Sequence, residues 1–323
     1  RQMCIRDRLM SNYGSYASYF IDTSTPFDQQ MCMFDDTRTW QQYFLQAAIT
    51  NYENVTAIWQ EARLAGFQLS QEDQDYLDEL DGQITVAAAS YSYGSADEYL
   101  QMAYGPAATL TSYHAFVERQ ITASAYLQVL VDEKPYTEDD ISKYYDDNAD
   151  SYAGNGIEKS DVKMVNVRHI LIQPEGKNDD GTYTDEAWAE AEKKANDLLT
   201  EWQNGEHTED SFAFMAAENS QDPGSVENGG LYEDIYPGKM VDEFDAWCFD
   251  PARQPGDTGI VKTSYGYHIM YFSSTGEHAY WYVRAEEDYL NELSVSVLQE
   301  VAAKFEVTES EQNAAIVDIM QQN

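Results

Sequence analysis

The chain has 323 residues, 43% of them hydrophobic and 13% aromatic, and its 58 acidic side chains outnumber 19 basic ones to leave a formal net charge of -39. So many core-forming residues exclude a generally disordered chain, and the length suits two domains of about 100 to 200 residues each. The charge excludes nucleic-acid binding, which needs clustered Lys and Arg to displace counterions from phosphates, and it disfavours anionic lipid surfaces.

Cys4, Cys32 and Cys248 are too few and too far apart for a disulfide framework or a Cys-x-x-Cys metal site. No run approaches the roughly 20 apolar residues that span a bilayer. The opening Arg1-Gln2-Met3-Cys4-Ile5-Arg6-Asp7-Arg8 matches neither an export signal nor the acidic, Tyr-rich stretch after it, so residues 1–10 read as a truncated or foreign start. Residues 1–35 are taken as an N-terminal segment, partly disordered or non-native. Cys4 lacks the small and aliphatic neighbours of a lipidation signal.

From about Thr39 to Gly66, Trp40, Phe44, Ala47, Ala48, Val55, Ile58 and Ala62 recur at helical spacing. Ser70-Gln71-Glu72-Asp73 resembles a capping box and starts a second helix, with Leu77, Leu80, Ile84 and Ala88 on its apolar stripe. Ser95-Ala96-Asp97-Glu98 starts a short third helix, and Thr109 to Glu133 carries Phe116, Leu127 and Leu130 in a fourth. The first 135 residues therefore read as nearly all helix. Thr137-Glu138-Asp139-Asp140 opens one more short helix with Ile141, Tyr144 and Tyr145 on its apolar edge, and 151–160 reads as a linker.

At Lys163 to Ile172 the period changes from helix to strand, with Val165, Val167, His169 and Leu171 on one face. A polar loop follows, then helices over about 185–203, 211–219 and 241–249, then short strands at Gly259 to Lys262 and His268 to Phe272 joined by Ser264-Tyr265-Gly266. Helical periodicity returns from Ala279 to Phe305, and a last short helix is predicted at 310–321. The expected fold class is α+β: an inserted domain at 161–276, a small antiparallel sheet with surrounding helices, interrupting an all-helical domain made of 36–160 and 277–323.

Several motifs of the inserted segment resemble the parvulin peptidyl-prolyl isomerases in order. Val167-Arg168-His169-Ile170-Leu171-Ile172 is similar to their first strand, and Thr263-Ser264-Tyr265-Gly266-Tyr267-His268-Ile269-Met270 to their last. Between them come Ser220-Gln221-Asp222, Asn228-Gly229-Gly230-Leu231, Pro237-Gly238-Lys239-Met240 with Phe244, and Pro255-Gly256-Asp257. The helix from Thr137 resembles the one preceding the parvulin domain in PrsA-type and SurA-type foldases, which are exported. The resemblance implies a fold with a parvulin-type domain inside a helical chaperone domain. It also implies an extracytoplasmic location, tethered to the outer face of the membrane only through an anchor missing from this chain. Its expected partners are unfolded or partly folded exported polypeptides with X-Pro bonds, and a homodimer is admitted.

Turning a peptide C–N bond costs about 18 to 20 kcal/mol because resonance makes it partly double. No bond needs breaking, so no cofactor is expected. An apolar pocket that grips the proline and favours the twisted amide suffices. By the resemblance, Leu231, Met240 and Phe244 form that pocket, and His169, Asp222 and His268 form its polar base with Thr263 nearby. Many parvulins have Cys where this chain has Asp222. On its own each strand histidine reads as a core residue holding one hydrogen bond, Met240 and Phe244 as core at helical spacing, and Asp222 before Pro223 as a turn cap. No metal is expected at the two-histidine, one-carboxylate set. The alternatives to an isomerase are a holdase chaperone with a weak or inactive parvulin domain, and a passive acidic surface protein.

Overall fold

The computed structural model describes residues 21–22, 24–176, 178 and 181–305. The readings of residues 1–10, of Cys4 and of a helix at 310–321 lie outside the described residues. The chain divides into two compact units, one of residues 1–135 with 290–323 and one of residues 136–289.

The described part of the first unit has a small antiparallel pair, β1 (Met31–Cys32) and β2 (Asp35–Thr39), at the end of the segment read as partly disordered or non-native and just before the first expected helix, where no strand was anticipated. Neither strand shows the apolar alternation that marks a half-buried strand, and the hairpin is held instead by Cys32 and Trp40 packing with Ile21 and Phe27. Four helices follow: α1 (Trp40–Ala65), α2 (Gln71–Ser90), α3 (Ala96–Tyr104) and α4 (Leu110–Asp132). Their starts are those the capping residues mark. Thr39, Ser70, Ser95 and Thr109 each accept a hydrogen bond from the backbone N–H three residues on, which satisfies a donor the helix itself leaves free. Ala57 and Ile58 of α1, Ala123 of α4 and Val301 form this unit's buried centre.

In the second unit, α5 (Glu138–Asp147) begins in a full capping box between Thr137 and Asp140. The expected linker contains a short helix, α6 (Ala149–Gly154), whose buried Tyr152 stacks on Tyr145 with ring centres 4.8 Å apart. After it come β3 (Lys163–Ile172), α7 (Asp185–Asn204), α8 (Glu209–Asn219), β4 (Leu231–Ile235), α9 (Asp242–Cys248), β5 (Thr258–Thr263) and β6 (Gly266–Ala279), and then α10 (Tyr280–Ala302), which runs across the division at residue 290.

The sheet order is β4-β3-β6-β5, with every pairing antiparallel. β3 lies inside it and is buried on both faces. Ile170 and Ile172 face the cluster with Ala191, Ala195 and Trp202 of α7 and Phe212 of α8, while Val165 and Val167 face the cluster with Phe244 and Cys248 of α9. Two strand readings need correction. β4 was not anticipated, because Leu231-Tyr232-Glu233-Asp234-Ile235 is an edge strand with its acidic residues exposed. β6 extends to Ala279, well beyond the apolar run that signalled it, because its far half pairs with the polar start of β3.

Candidate active site

His169 comes from the central strand β3, on the face that packs against α9. The backbone sets the loop opposite it. Leu171 N–H donates to Ser220 Oγ, and Gln221 N–H donates to Leu171 C=O, so the chain after α8 anneals onto β3 and delivers Asp222 beside the imidazole. On the other side His169 N–H donates to Gly230 C=O at 2.8 Å. Gly230 has φ of +76°, and a Cβ there would lie 2.2 Å from the His169 carbonyl oxygen, so this approach requires glycine. The Arg168 guanidinium fastens the same loop through Asn228 and Gly229 carbonyls while pairing with Glu209 at 2.9 Å.

The polar side chains form one chain of hydrogen bonds. Asp222 Oδ2 lies 2.9 Å from His169 Nε2, His169 Nδ1 lies 2.9 Å from His268 Nδ1, and His268 Nε2 lies 2.8 Å from Thr263 Oγ1. Burial pushes the His268 imidazole down to about 3, with neighbouring His169 adding to the effect, so it is neutral at physiological pH. The hydrogen bond from His169 holds the Asp222 carboxyl well below the usual carboxylate range, against the opposing cost of burial, and Ser225 and Tyr232 hydroxyls add to the lowering. A carboxylate only accepts, so His169 Nε2–H donates to it. One hydrogen lies between the two facing Nδ1 atoms, and the neutral His268 ring donates from one nitrogen and accepts at the other, so its Nε2 shares a second hydrogen with Thr263 Oγ1. Tyr265 N–H donates in turn to Thr263 Oγ1. The nitrogen lone pairs are thus spent within the chain of side chains.

Phe244, on α9, crosses both imidazoles edge to face, with ring centres 5.4 Å from His169 and 5.4 Å from His268. Half-buried Met240 packs against the same apolar cluster. Leu231 begins β4 directly after Gly230, pairs with Arg168 through the backbone and is half-buried. So His169, Asp222, His268, Thr263 and Phe244 meet directly, Met240 joins them through the apolar wall, and Leu231 stands at the loop that carries Asp222. Two contributors escaped the sequence reading. Ser225 Oγ donates to Asp222 Oδ2 at 2.5 Å, and Tyr232 hydroxyl donates to the same oxygen at 3.0 Å. Ser225 had a local signal, since a hydroxyl three residues after an Asp commonly closes a turn. Tyr232 had none, because its partner is reached only once β4 pairs with β3. The thiol of Cys248, beneath the wall, is pushed up to about 12 by burial and then by Asp245, so it stays protonated and offers no nucleophile.

The imidazole pair and Phe244 thus stand together on a β4-β3-β6-β5 sheet. The PPIC-type PPIASE domain family matches residues 155–274, and this segment is a parvulin-type peptidyl-prolyl isomerase domain. It is similar to the foldase protein PrsA 1 of Listeria innocua, at 31% identity over 106 residues, which is 33% of this chain and 29% of that protein. It is also similar to PrsA of a Geobacillus species, at 44% over 80 residues (24% and 27%), and to the chaperone SurA of Pseudomonas savastanoi, at 35% over 107 residues (33% and 22%). The matched stretch thus spans less than a third of each of these relatives. Aligned with the crystal structure of PrsA from Bacillus subtilis over 88% of this chain and 97% of that one, the identity is 19% and the TM-score 0.38.

Proposed function

We propose that the chain accelerates cis/trans exchange at X-Pro bonds of unfolded, exported polypeptides and assists their folding outside the cytoplasm, by non-covalent catalysis at the His169, Asp222, His268 and Thr263 network under the wall of Leu231, Met240 and Phe244. The observation that carries this reading is the hydrogen-bonded imidazole pair capped edge-on by Phe244.

A planar amide is charge-separated, with negative charge on oxygen, and water stabilises that form. The twisted amide is less dipolar. A prolyl amide moved from water to the Phe244 and Met240 wall loses hydration that favours planarity, and the ionised Asp222 opposes negative charge on a carbonyl oxygen nearby. Each 1.36 kcal/mol of such selective stabilisation is worth about tenfold in rate. The network's part is to hold this environment rigid: six hydrogen-bonding side chains, His169, His268, Asp222, Thr263, Ser225 and Tyr232, hold one another in place, and nothing in the reaction requires them to move. A membrane tether and a homodimer belong to the same proposal. Exchange spectroscopy on a short X-Pro peptide, with and without the full chain, tests the activity.

The rival holdase reading draws on the helical unit, where Leu64, Val86, Tyr91, Met102 and Tyr104 are exposed. The two readings separate cleanly, because a holdase suppresses client aggregation while leaving the peptide exchange rate unchanged.

A further inference from the structure

Away from the imidazoles, the second unit holds a cavity of about 890 Å³ among α5, α6, the turn after β4 and the start of α10. Its aromatic lining is Tyr144, Tyr152, Tyr236, Tyr280 and Trp281. Tyr236 and Tyr280 lie face to face with centres 3.7 Å apart, Tyr152 hydroxyl donates to Asp288 at 2.9 Å, and Trp281 Nε1–H donates to Ser160 C=O at 2.8 Å. These bonds fix the walls.

Several acceptors of the remaining polar lining meet no protein donor among the described residues. Asn148 and Asn155 each spend the amide nitrogen on a backbone carbonyl, Tyr144 C=O and Ser151 C=O respectively, and among the described residues their side-chain oxygens accept nothing. The exposed Glu158 carboxylate likewise has no partner among the described residues. Among the described residues, the one lining cation, Arg284, is held by Glu287 and Asp288. These acceptors are exposed and open to water, and beside aromatic faces they are placed to exchange that water for the donors of a cationic occupant. The rim already contains such a contact, since Lys159 Nζ sits 4.8 Å from the Trp281 ring centre and 5.4 Å from that of Tyr145.

We infer that this cavity is a docking site for an extended polypeptide segment carrying Lys or Arg, distinct from the isomerase centre and independent of its activity. The volume takes a few residues, and the chain's charge of -39 draws basic segments towards it. A client docked here stays at high effective concentration near the isomerase centre on the same compact unit, so that successive X-Pro bonds are presented without release.

The test uses the full chain and a fluorescein-labelled 12-residue peptide of Gly, Ser and four Arg, with no proline, followed by anisotropy. The peptide is expected to bind, and its counterpart with Glu in place of Arg is not. Glu158→Lys and Tyr236→Ala should each weaken binding about tenfold or more while exchange in a short X-Pro tetrapeptide is unchanged. Should Tyr236→Ala not fold, Glu158→Lys carries the test. Glu190→Lys, at an exposed position of α7, makes the same change in net charge and should leave the affinity within about twofold. Equal weakening by Glu190→Lys, equal binding of the Glu peptide, or no binding of the Arg peptide overturns the proposal. Loss of isomerase activity in all proteins alike, with Arg-peptide binding intact, counts against the isomerase reading alone and leaves the docking site standing.

Discussion

At the scale of single residues, the account depends on the wall and the imidazoles acting differently. Met240 is half-buried at the edge of its cluster, so Met240→Ala should lower kcat/KM by about tenfold, the value of roughly 1 to 3 kcal/mol of apolar contact. Phe244 is buried against both rings, so Phe244→Ala should cost activity and also about 3 to 5 kcal/mol of stability. His207, exposed beyond α7, should tolerate alanine with neither effect. Peptide exchange rates and chemical denaturation of the three variants check this, and equal activity in all three would mean that the wall lies elsewhere.

The buried imidazole gives a pH dependence of known sign. His268 is held neutral at about 3, below its ordinary 6.5, so between those values the unfolded chain binds a proton that the folded chain refuses. Its contribution is constant above pH 6.5 and is lost as pH falls towards 3, at no more than about 1.4 kcal/mol per pH unit. Asp222, held low, adds a second loss that begins only as pH falls below its ordinary 3.8. Melting temperature should therefore drop between pH 7 and pH 5, and His268→Gln should flatten that drop. An unchanged slope in the variant would contradict the neutral assignment.

Which residues were legible follows from where their partners lie. His169, Asp222 and His268 stood in recognisable motifs and meet at 2.9 Å. Tyr232 was invisible because a tyrosine in a short acidic stretch carries no mark of the carboxylate that it will meet across a strand pairing.

At the scale of elements, the longer helices were legible to within a few residues because their starts are chemical, a hydroxyl at Thr39, Ser70, Thr137 or Thr184 followed by a free backbone N–H three positions on, whereas α6, which has no side-chain cap, was read as linker. Edge strands carry no such mark, and β4 and the extension of β6 were missed for that reason. Two glycines test the elements in opposite directions. Gly230→Ala places a Cβ against the His169 carbonyl at a positive φ, so it should separate the loop from β3, destabilise the unit and reduce activity with it. Gly82 lies exposed inside α2 with open space where a Cβ would go, so Gly82→Ala should stabilise the chain by about 0.5 to 1 kcal/mol without touching activity. Thermal melts of both variants decide it, and a stabilised Gly230→Ala would contradict the described loop.

At the scale of the whole molecule, the net charge of -39 sets an expectation about which peptides bind. No helix among the described residues is long and apolar enough to cross a membrane. The segment after the first sheet strand, Gln173 to Glu186, carries five carboxylates against the single Lys177. Reading a phosphate of about -2 charge needs Arg or Lys as charge-assisted donors, so peptides with phosphorylated Ser-Pro or Thr-Pro should be turned over more slowly than their unmodified pairs. A kcat/KM ratio above one would contradict that reading. The division of the chain also places α5 and α6 in the unit that carries the imidazole pair, since Ile141, Tyr145 and Tyr152 pack with Tyr282 and Ala285 of α10. The break in periodicity at Lys163 was visible in sequence, but the packing of a helix that precedes it was not.

The central claim is catalysis of prolyl isomerisation at the imidazole pair beneath Phe244. The most direct measurement is the cis/trans exchange rate of a short, unphosphorylated X-Pro peptide with the folded full chain at pH 7. The account predicts acceleration well above the uncatalysed tens to hundreds of seconds, reduced about tenfold by Met240→Ala. An exchange rate equal to that of the free peptide, from protein shown to be folded, would contradict it.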